Sequence, residues 1–355
     1  MYEERNVAMG IPAEFGIKIG KLPVGRLDQI TDVPGVSVSH VTLKQGSIQT
    51  GVTALIPHKG NCFREKCLVA AHVINGFGKS AGLIQVQELG TLETPLVMTN
   101  TFAVGTASTA LIRYMLEDNP DIGTTTGSVN PVVFECNDSK LNDIRGMHIT
   151  ENHVRLALER ASGETGAFEE GAVGAGTGMC CYGLKGGIGS ASRLVTLGDI
   201  TYTLGTLVLT NFGKLHELVV CGRPIGEEIE DQGFGNEEPD RGSIIVVIAT
   251  DLPLSARQLG RISKRAQNGI ARTGSITANG SGEIVLSFST ANRISHYPDG
   301  DLIKAELLHE EKMDTVFAAV CEAVEESIIS SLLHAEVDES LKGKIRSLRD
   351  YLWKE

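Results

Sequence analysis

Aromatic residues, basic residues and long apolar runs are all scarce in this sequence. Phe, Tyr and Trp together make up 5% of its 355 residues, and 32 Lys and Arg stand against 44 Asp and Glu. The net charge of −12 argues against a nucleic-acid or anionic-membrane partner, because basic patches bind both. No apolar run approaches the roughly 18 residues of a membrane span, and the start, MYEERNVAMGIPAEFG, lacks the pattern of a secretory signal. These absences predict a soluble, cytoplasmic protein.

Metal-binding and cofactor-binding patterns are also missing. The seven cysteines are an odd number, and without an export signal we interpret them as reduced thiols rather than a disulfide framework. Cys62 and Cys67 have the wrong spacing for a zinc knuckle and lack a second pair. The glycines at 174, 176 and 178 do not satisfy G-x-G-x-x-G, and no Walker A lysine or H-E-x-x-H is present. The sequence therefore predicts neither a metal nor an organic cofactor.

Glycine, by contrast, is abundant. It supplies 41 of the 355 residues, well above a usual share of about 7%, without a collagen-like period or a low-complexity block. Many of these glycines lie between Gly171 and Gly189, where they favour close strand packing or a close approach of backbone to substrate. With 41% apolar residues the chain is long enough to bury a full core, as one large domain or two ordinary ones, and we expect a single domain over residues 1–355.

Short runs rich in Val, Ile, Leu and Thr, each bounded by Gly, Pro, Asn or Asp, predict at least eight buried strands. They are Val52–Pro57, Cys67–Ile74, Pro95–Asn100, Pro131–Glu135, Ser192–Leu197, Leu204–Thr210, Ser243–Thr250 and Glu283–Ser289. Helical periodicity predicts helices over Ala107–Leu116, His153–Arg160, Ala256–Ile270 and Asp314–Leu333. Strands and helices do not alternate strictly, so the predicted fold class is α/β (α+β), an αββα sandwich with mixed or antiparallel sheets.

An acidic segment interrupts this pattern from Cys221 to Gly242. Glu227–Asp240 contains seven acids and no base, which predicts a solvated loop or linker. A structureless segment of this length in a compact domain is either functional or disordered. It ends at Gly242, and Ser243 then opens the run Ile-Ile-Val-Val-Ile-Ala.

A serine after a flexible glycine, at the first position of a buried strand, is the arrangement that N-terminal nucleophile hydrolases use. The hydroxyl attacks the preceding carbonyl, an N→O acyl shift forms an ester, and hydrolysis frees a new N-terminus. Glycine at 242 favours this step because it permits strained backbone angles and leaves no Cβ in the path of attack. The freed α-amino group of Ser243, with a reference pKa near 7.7 to 8.0, is then available as a base.

Ordered motifs along nearly the whole chain resemble the DmpA-type aminopeptidases, also called L-aminopeptidase/D-esterases or β-peptidyl aminopeptidases, peptidase family S58. The matching segments are Gly25–Leu27, Ile30–Val36, His40–Thr42, Gly51–Ala54, Asn75–Gly78, Glu88–Gly90, Pro95, Thr99–Thr101, Pro131–Val133 with Glu135, Leu141–Asp143, Gly171–Gly178, Lys185–Gly189, Thr210–Gly213 and Gly242–Ser243.

The resemblance implies autoproteolysis between Gly242 and Ser243 into an α chain, residues 1–242, and a β chain, residues 243–355. It implies a DmpA/ornithine-acetyltransferase-like αββα fold of the N-terminal nucleophile type, with Ser243 as the nucleophile of a serine aminopeptidase. Ser281 and Glu283 match the family's residues beside the nucleophile. Asn211 matches its oxyanion-stabilising asparagine, and Glu135 matches the acid that receives the substrate's free amino group.

The residues themselves leave other roles open. Asn211 also fits a turn residue at a strand end. Ser281 and Glu283, two positions apart, face the same side of an extended segment, where Glu283 would orient the new ammonium or face solvent as a hairpin residue. Glu135, at the end of an apolar strand, fits either ammonium recognition or a surface ion pair.

We therefore expect a self-processing aminopeptidase that acts on short peptides, amino-acid amides or esters through a Ser243 acyl-enzyme. The resemblance implies a homo-oligomer of αβ units. Two alternatives stay open, an acyltransferase of related fold and an uncleaved, non-catalytic assembly or binding protein. Preference among L-α, D-α and β-amino acids is not readable from the sequence, because one methylene discriminates by only ~1 to 3 kcal/mol.

Overall fold

A computed structural model describes residues 11–163, 166–233, 242–340 and 343–352. Its helices are α1 (Ile11–Glu14), α2 (Leu83–Leu89), α3 (Val104–Asp118), α4 (Glu151–Gly163), α5 (Ile225–Glu230), α6 (Ala256–Ser263), α7 (Ala266–Arg272), α8 (Met313–His334) and α9 (Arg349–Leu352). Its strands are β1 (Ser37–Gln45), β2 (Ile48–Ile56), β3 (Glu65–Gly76), β4 (Thr91–Leu92), β5 (Leu96–Asn100), β6 (Val132–Cys136), β7 (Cys180–Cys181), β8 (Leu184–Lys185), β9 (Ile188–Leu197), β10 (Ile200–Asn211), β11 (Ser243–Thr250), β12 (Gly282–Ser295), β13 (Asp338–Ser340) and β14 (Gly343–Ile345).

Two mixed sheets form the centre of the fold. The smaller sheet has the strand order β1-β2-β5-β6, and the larger has the order β4-β3-β12-β11-β10-β9. Most neighbours are antiparallel, while β5 with β6 and β11 with β12 run parallel. Strand β11 is buried along its whole length and apolar between Ser243 and Thr250, because it lies inside the larger sheet with both faces covered.

The layers follow from where the apolar side chains lie. One core cluster joins the inner faces of the two sheets, with Met98 and Phe134 from the smaller sheet and Val247 and Leu286 from the larger. A second cluster lies between the larger sheet and α6, α7 and α8, and a third between the smaller sheet and α3 and α4. The predicted αββα sandwich is therefore confirmed.

The glycine-rich stretch from Gly171 to Gly189 packs as closely as the sequence predicts. A Cβ at Gly189 would overlap the Ser327 carbonyl oxygen of α8, and a Cβ at Gly176 would lie 2.6 Å from the backbone nitrogen of Ile188. Gly187 has φ +154° and packs against the Gly171 carbonyl. These contacts leave no room for side chains, so glycine is required for the backbone to approach its neighbours.

The predicted strands all occur, but three local predictions change. The predicted helix over Ala256–Ile270 is two helices, because α6 packs against β3 and β12 while α7 packs against α8, and a turn at Lys264–Arg265 redirects the chain. The capping box of Ser255 and Gln258 is present at the start of α6. Strand β1 was not predicted, and its Ser37 and Ser39 are buried because their hydroxyls donate to the Ala161 and Ala157 carbonyls of α4.

The acidic segment is the third change. The prediction of a structureless loop is wrong at its start, because Ile225–Glu230 forms α5 with Ile225 and Ile229 buried in the core. These two residues have the four-residue spacing that puts side chains on one helix face. The stretch from 234 to 241 lies outside the described residues.

The cysteine prediction agrees with the structure. All seven cysteines lie in the described residues, none is in a disulfide, and only Cys221 is exposed. Burial raises the pKa of the Cys62 thiol above its usual range and that of Cys67 to about 11. Among the described helices, none has the length and apolar character that a membrane crossing requires.

Candidate active site

Three adjacent strands of the larger sheet bring Asn211, Ser243 and Gly282 side by side. Ser243 is the first residue of β11, and its register partners are Asn211, the last residue of β10, and Gly282, the first residue of β12. All three are buried. Residues that are 32 and 39 positions from Ser243 along the chain thus meet at one end of the sheet through strand pairing.

The Ser243 hydroxyl lies over its own peptide bond. Its Oγ donates to the Gly242 carbonyl oxygen at 2.7 Å. The backbone N–H of Gly282 reaches the same carbonyl oxygen at 3.2 Å and the Ser243 Oγ at 3.3 Å. One backbone donor thus serves both the nucleophile candidate and the carbonyl it would attack.

Gly242 is required for a reason that the sequence analysis did not foresee. Its φ lies outside the left-handed region. A Cβ there would instead overlap the Asn211 carbonyl oxygen and lie 2.6 Å from the Phe212 Cα. Close approach of the Gly242–Ser243 peptide to the end of β10 therefore excludes any side chain at 242.

The Asn211 side chain is held at both ends. Its Oδ1 accepts from the Cys180 N–H at 3.0 Å, and its Nδ2 donates to the Asn137 carbonyl at 2.9 Å. These two bonds set which end of the amide faces each neighbour. Since an amide NH2 carries two hydrogens, Nδ2 has the capacity to serve a second acceptor.

Ser281 and Glu283 flank Gly282 and contact each other. The Ser281 hydroxyl donates to Glu283 Oε1 at 3.1 Å, and both side chains are buried. The other carboxylate oxygen accepts from the Thr277 hydroxyl at 2.8 Å. Glu283 is therefore an internal, hydrogen-bonded carboxylate, which excludes the alternative of a solvent-facing hairpin residue.

Glu135 reaches this region from the smaller sheet. It lies on β6, only 3% exposed, and its carboxylate accepts from the Lys79 N–H at 2.7 Å and from the Thr101 hydroxyl. A Cβ at Gly78 would lie 3.6 Å from Glu135 Oε1 and 3.8 Å from the Gly282 Cα. Glu135 and Gly282 thus border the same glycine, and burial excludes the alternative of a surface ion pair.

Sequence reasoning missed several residues that hold this site. Thr277 has φ +57°, which is rare for a β-branched residue and turns its hydroxyl toward Glu283. Asn75 donates to the Ser281 carbonyl, and Thr101 donates to Glu135. Asn75 and Thr101 lie inside motifs that carry the family resemblance, which was the available signal, whereas Thr277 had none.

Two exposed phenylalanines adjoin these contacts. Phe77 precedes Gly78 and Phe102 follows Thr101, and their exposed fractions are 58% and 51%. The Lys79 ammonium lies 4.4 Å from the Phe77 ring centroid. Exposed aromatic rings beside the contacts of Glu135 offer contact surface to an apolar ligand group.

One family of known proteins matches most of the chain. The profile described as Peptidase family S58 matches residues 28–346. The chain belongs to peptidase family S58. The resemblance seen in the sequence is thereby confirmed, and the protein is a peptidase by family.

Similar proteins include members of family S58 with named activities. A "Beta-peptidyl aminopeptidase BapA" from Sphingosinicella microcystinivorans is 36% identical, over 93% of this chain and 87% of its own length. The solved "l-aminopeptidase d-ala-esterase/amidase" from Ochrobactrum anthropi, described as a prototype for the serine aminopeptidases and a variant of the Ntn hydrolase fold, has a TM-score of 0.86. It is 34% identical, covering 95% of this chain and 94% of that one.

The PH0078 protein from Pyrococcus horikoshii OT3 is also similar in structure. Its TM-score is 0.90 and its identity 49%, covering 97% of this chain and 98% of that one. This S58 chain therefore has the Ntn hydrolase variant of the αββα fold and is an aminopeptidase of that family. Within the described ranges, no three His, Cys, Asp or Glu side chains are grouped as metal ligands would be.

Proposed function

We propose that this protein is a self-processing serine aminopeptidase that removes N-terminal residues from short peptides, amides or esters. The observation that carries the proposal is the Ser243 Oγ at 2.7 Å from the Gly242 carbonyl oxygen, with the Gly282 N–H directed at that oxygen. A hydroxyl beside its own carbonyl, with a donor for the developing oxyanion, has the components of an intramolecular acyl shift.

Maturation then takes two balanced steps. Ser243 Oγ attacks the Gly242 carbonyl carbon, the C–N bond breaks, and the departing nitrogen takes the hydroxyl proton and becomes an amine. Water next hydrolyses the Gly242–Ser243 ester, giving a carboxylate at Gly242 and a free hydroxyl at Ser243. The Gly282 N–H supports the first step because it stabilises the negative charge on the carbonyl oxygen.

Turnover uses the same hydroxyl on an external substrate. The new α-amino group accepts the Oγ proton, Oγ attacks the substrate carbonyl, and the proton passes to the departing amine or alcohol. Water then releases the acyl group and regenerates Ser243. The hydrogen-bonded pair of Ser281 and Glu283 orients the α-amino group, and Asn211 donates an Nδ2 hydrogen to the tetrahedral oxyanion.

Glu135 explains why the substrate would need a free amino group. A buried carboxylate held by two donors is a site for an ammonium, and its place beside Gly78 and Gly282 is near the nucleophile. Relatives of this chain carry the names of β-peptidyl and L-amino-acid aminopeptidases. All such substrates share an ammonium a few bonds from the scissile carbonyl.

A denaturing gel tests the maturation step directly. Purified protein should resolve into fragments of residues 1–242 and 243–355, with N-terminal sequencing of the second fragment starting at Ser243. A full-length band that persists after long incubation would contradict self-processing. Release of p-nitroaniline from L-Ala, D-Ala and β-Ala p-nitroanilides would then define the substrate preference.

Replacing Asn211 by alanine is expected to lower kcat by about 10²-fold to 10³-fold, because one oxyanion donor is lost. Steady-state kinetics on an aminoacyl p-nitroanilide, normalised to processed chain, would measure the effect. Asn292→Ala is the matched control, since Asn292 binds the Glu306 backbone instead and should leave kcat unchanged. Equal kcat for Asn211→Ala and the parent would remove Asn211 from the proposed mechanism.

A further inference from the structure

A fully buried lysine lies behind Asn211. Lys185 on β8 has no solvent exposure, and its ammonium donates to the carbonyls of Met179 at 2.7 Å, Gly186 at 2.8 Å and Gly176 at 3.3 Å. In the described part of the chain, all of its hydrogen-bond acceptors are thus backbone oxygens. Burying a charge this way costs free energy, and neutral donors would be sufficient for a purely structural crosslink.

The Met179–Cys180 peptide group connects this ammonium to Asn211. Its carbonyl oxygen is the closest acceptor of Lys185, and its N–H is the donor to Asn211 Oδ1 at 3.0 Å. Ammonium, peptide group and Asn211 amide thus form one continuous row of hydrogen bonds. The row continues through Asn211 Nδ2, which donates one hydrogen to the Asn137 carbonyl at 2.9 Å and has a second hydrogen that would face the oxyanion.

We propose that Lys185 is a positioning residue that strengthens Asn211 as an oxyanion donor through the Met179–Cys180 peptide. A cation on the carbonyl oxygen draws electron density from the peptide nitrogen, so its N–H becomes a stronger donor to Asn211 Oδ1. That bond in turn polarises the Asn211 amide and makes its Nδ2 hydrogens stronger donors. Such rows of hydrogen bonds reinforce one another in a low-dielectric interior.

This inference rests on the proposed role of Asn211 and adds a residue to it. The row also holds Asn211 in place before the reaction, which is how preorganised donors act. Because the charge on the developing oxyanion is greatest in the transition state, we expect Lys185 to affect kcat more than KM.

The pH dependence of kcat provides an independent test of the proposal, because it follows the protonation state of Lys185. Burial lowers the pKa of Lys185 to about 8. The nearby Lys44 also lowers this pKa, whereas Cys180, Cys181 and Asp338 raise it. Asp338 and Lys44 form an ion pair at 3.4 Å. Since the row needs the charged ammonium, kcat should fall as the pH rises through the pKa of Lys185. The Ser243 α-amino group acts as a base, so kcat should rise as the pH passes the pKa of that amine. Deprotonation of Lys185 and deprotonation of the Ser243 amine therefore change kcat in opposite directions.

The first experiment replaces Lys185 by methionine, which keeps most of the side-chain volume and removes the charge. We expect kcat per processed chain to fall roughly 5-fold to 30-fold, as residues coupled in one hydrogen-bond network do, with KM changed less than about twofold. Lys66→Met is the matched control, because Lys66 pairs with Glu93 away from this row and its loss should leave kcat unchanged. An unchanged kcat in Lys185→Met would overturn the proposal.

A double-mutant cycle separates this proposal from the proposed function. If Lys185 acts through Asn211, Lys185→Met should add little to the loss already caused by Asn211→Ala. If the kcat loss of the double variant equals the product of the two single losses, Lys185 does not act through Asn211. That result would overturn the proposed role of Lys185 and leave Asn211 as the oxyanion donor. Full activity of Asn211→Ala would instead overturn the oxyanion assignment itself, and the role of Lys185 with it.

The pH profile of the parent protein keeps the proposal testable if Lys185→Met does not fold. We expect kcat to fall above about pH 8, and Lys44→Met to move this fall to higher pH, because removing a nearby cation raises the pKa of Lys185. A folded Lys185→Met should lack the fall. A profile that stays flat above pH 8, or that does not respond to Lys44→Met, would contradict the proposal.

Discussion

Ser243→Ala is expected to remain a single chain of 355 residues and to lose peptidase activity by about 10⁴-fold or more. Under the proposed mechanism both losses have one cause, because the same Oγ would attack the Gly242 carbonyl during maturation and the substrate carbonyl during turnover. No neighbouring hydroxyl compensates, because Ser281, two residues from Glu283, directs its hydroxyl to that carboxylate. A denaturing gel and an aminoacyl p-nitroanilide assay measure the two effects on one preparation.

Two further variants make this result specific. Ser243→Cys retains a nucleophile at the same position and should still be processed. Ser295→Ala removes a serine hydroxyl at the far end of β12, where it binds the Tyr297 carbonyl, and should be processed and active as the parent is. Cleavage of the Ser243→Ala chain at the 242–243 bond would rule out the hydroxyl as the attacking group.

Glu135→Gln is expected to separate maturation from turnover. It keeps the size of the side chain but removes the charge that would pair with a substrate ammonium in a buried place, a loss of about 2 to 5 kcal/mol. We therefore expect kcat/KM for an aminoacyl p-nitroanilide to fall by about 30-fold to 4,000-fold, since each 1.4 kcal/mol is a factor of ten. Self-cleavage should continue, because the peptide attacked in that step has no free ammonium.

The control for Glu135→Gln is a carboxylate in a similar environment. Glu93 is also nearly buried, and it pairs with Lys66 at 2.7 Å and accepts from the Asn130 N–H. Glu93→Gln should change the melting temperature and leave kcat/KM close to the value of the parent. Glu135→Gln with the full kcat/KM of the parent would contradict ammonium recognition, and failure to mature would give Glu135 a role in folding instead.

Local sequence patterns predicted the strongly apolar elements better than the elements that contain many polar residues. Strand β11 begins at Ser243 and ends at Thr250 as its apolar run predicts, because a central strand buried on both faces leaves a continuous apolar signature. Strand β1 lacked that signature, since two of its buried residues are serines that bind carbonyls of α4. Helix α5 was not predicted because its acidic residues indicated a solvated loop, although Ile225 and Ile229 have helical spacing.

The sequence by itself determined the family and the candidate nucleophile, because ordered motifs and a glycine–serine pair before an apolar run are local patterns. Only the tertiary structure decided which residues meet. The pairing of β10, β11 and β12 sets Asn211, Ser243 and Gly282 in register, and packing of the two sheets brings Glu135 to the same end. The contact of Lys185 with the Met179 peptide likewise depends on a folded, glycine-rich turn. Register and layer packing join residues far apart in the chain, so a pattern read along a short stretch of sequence does not show which residues meet.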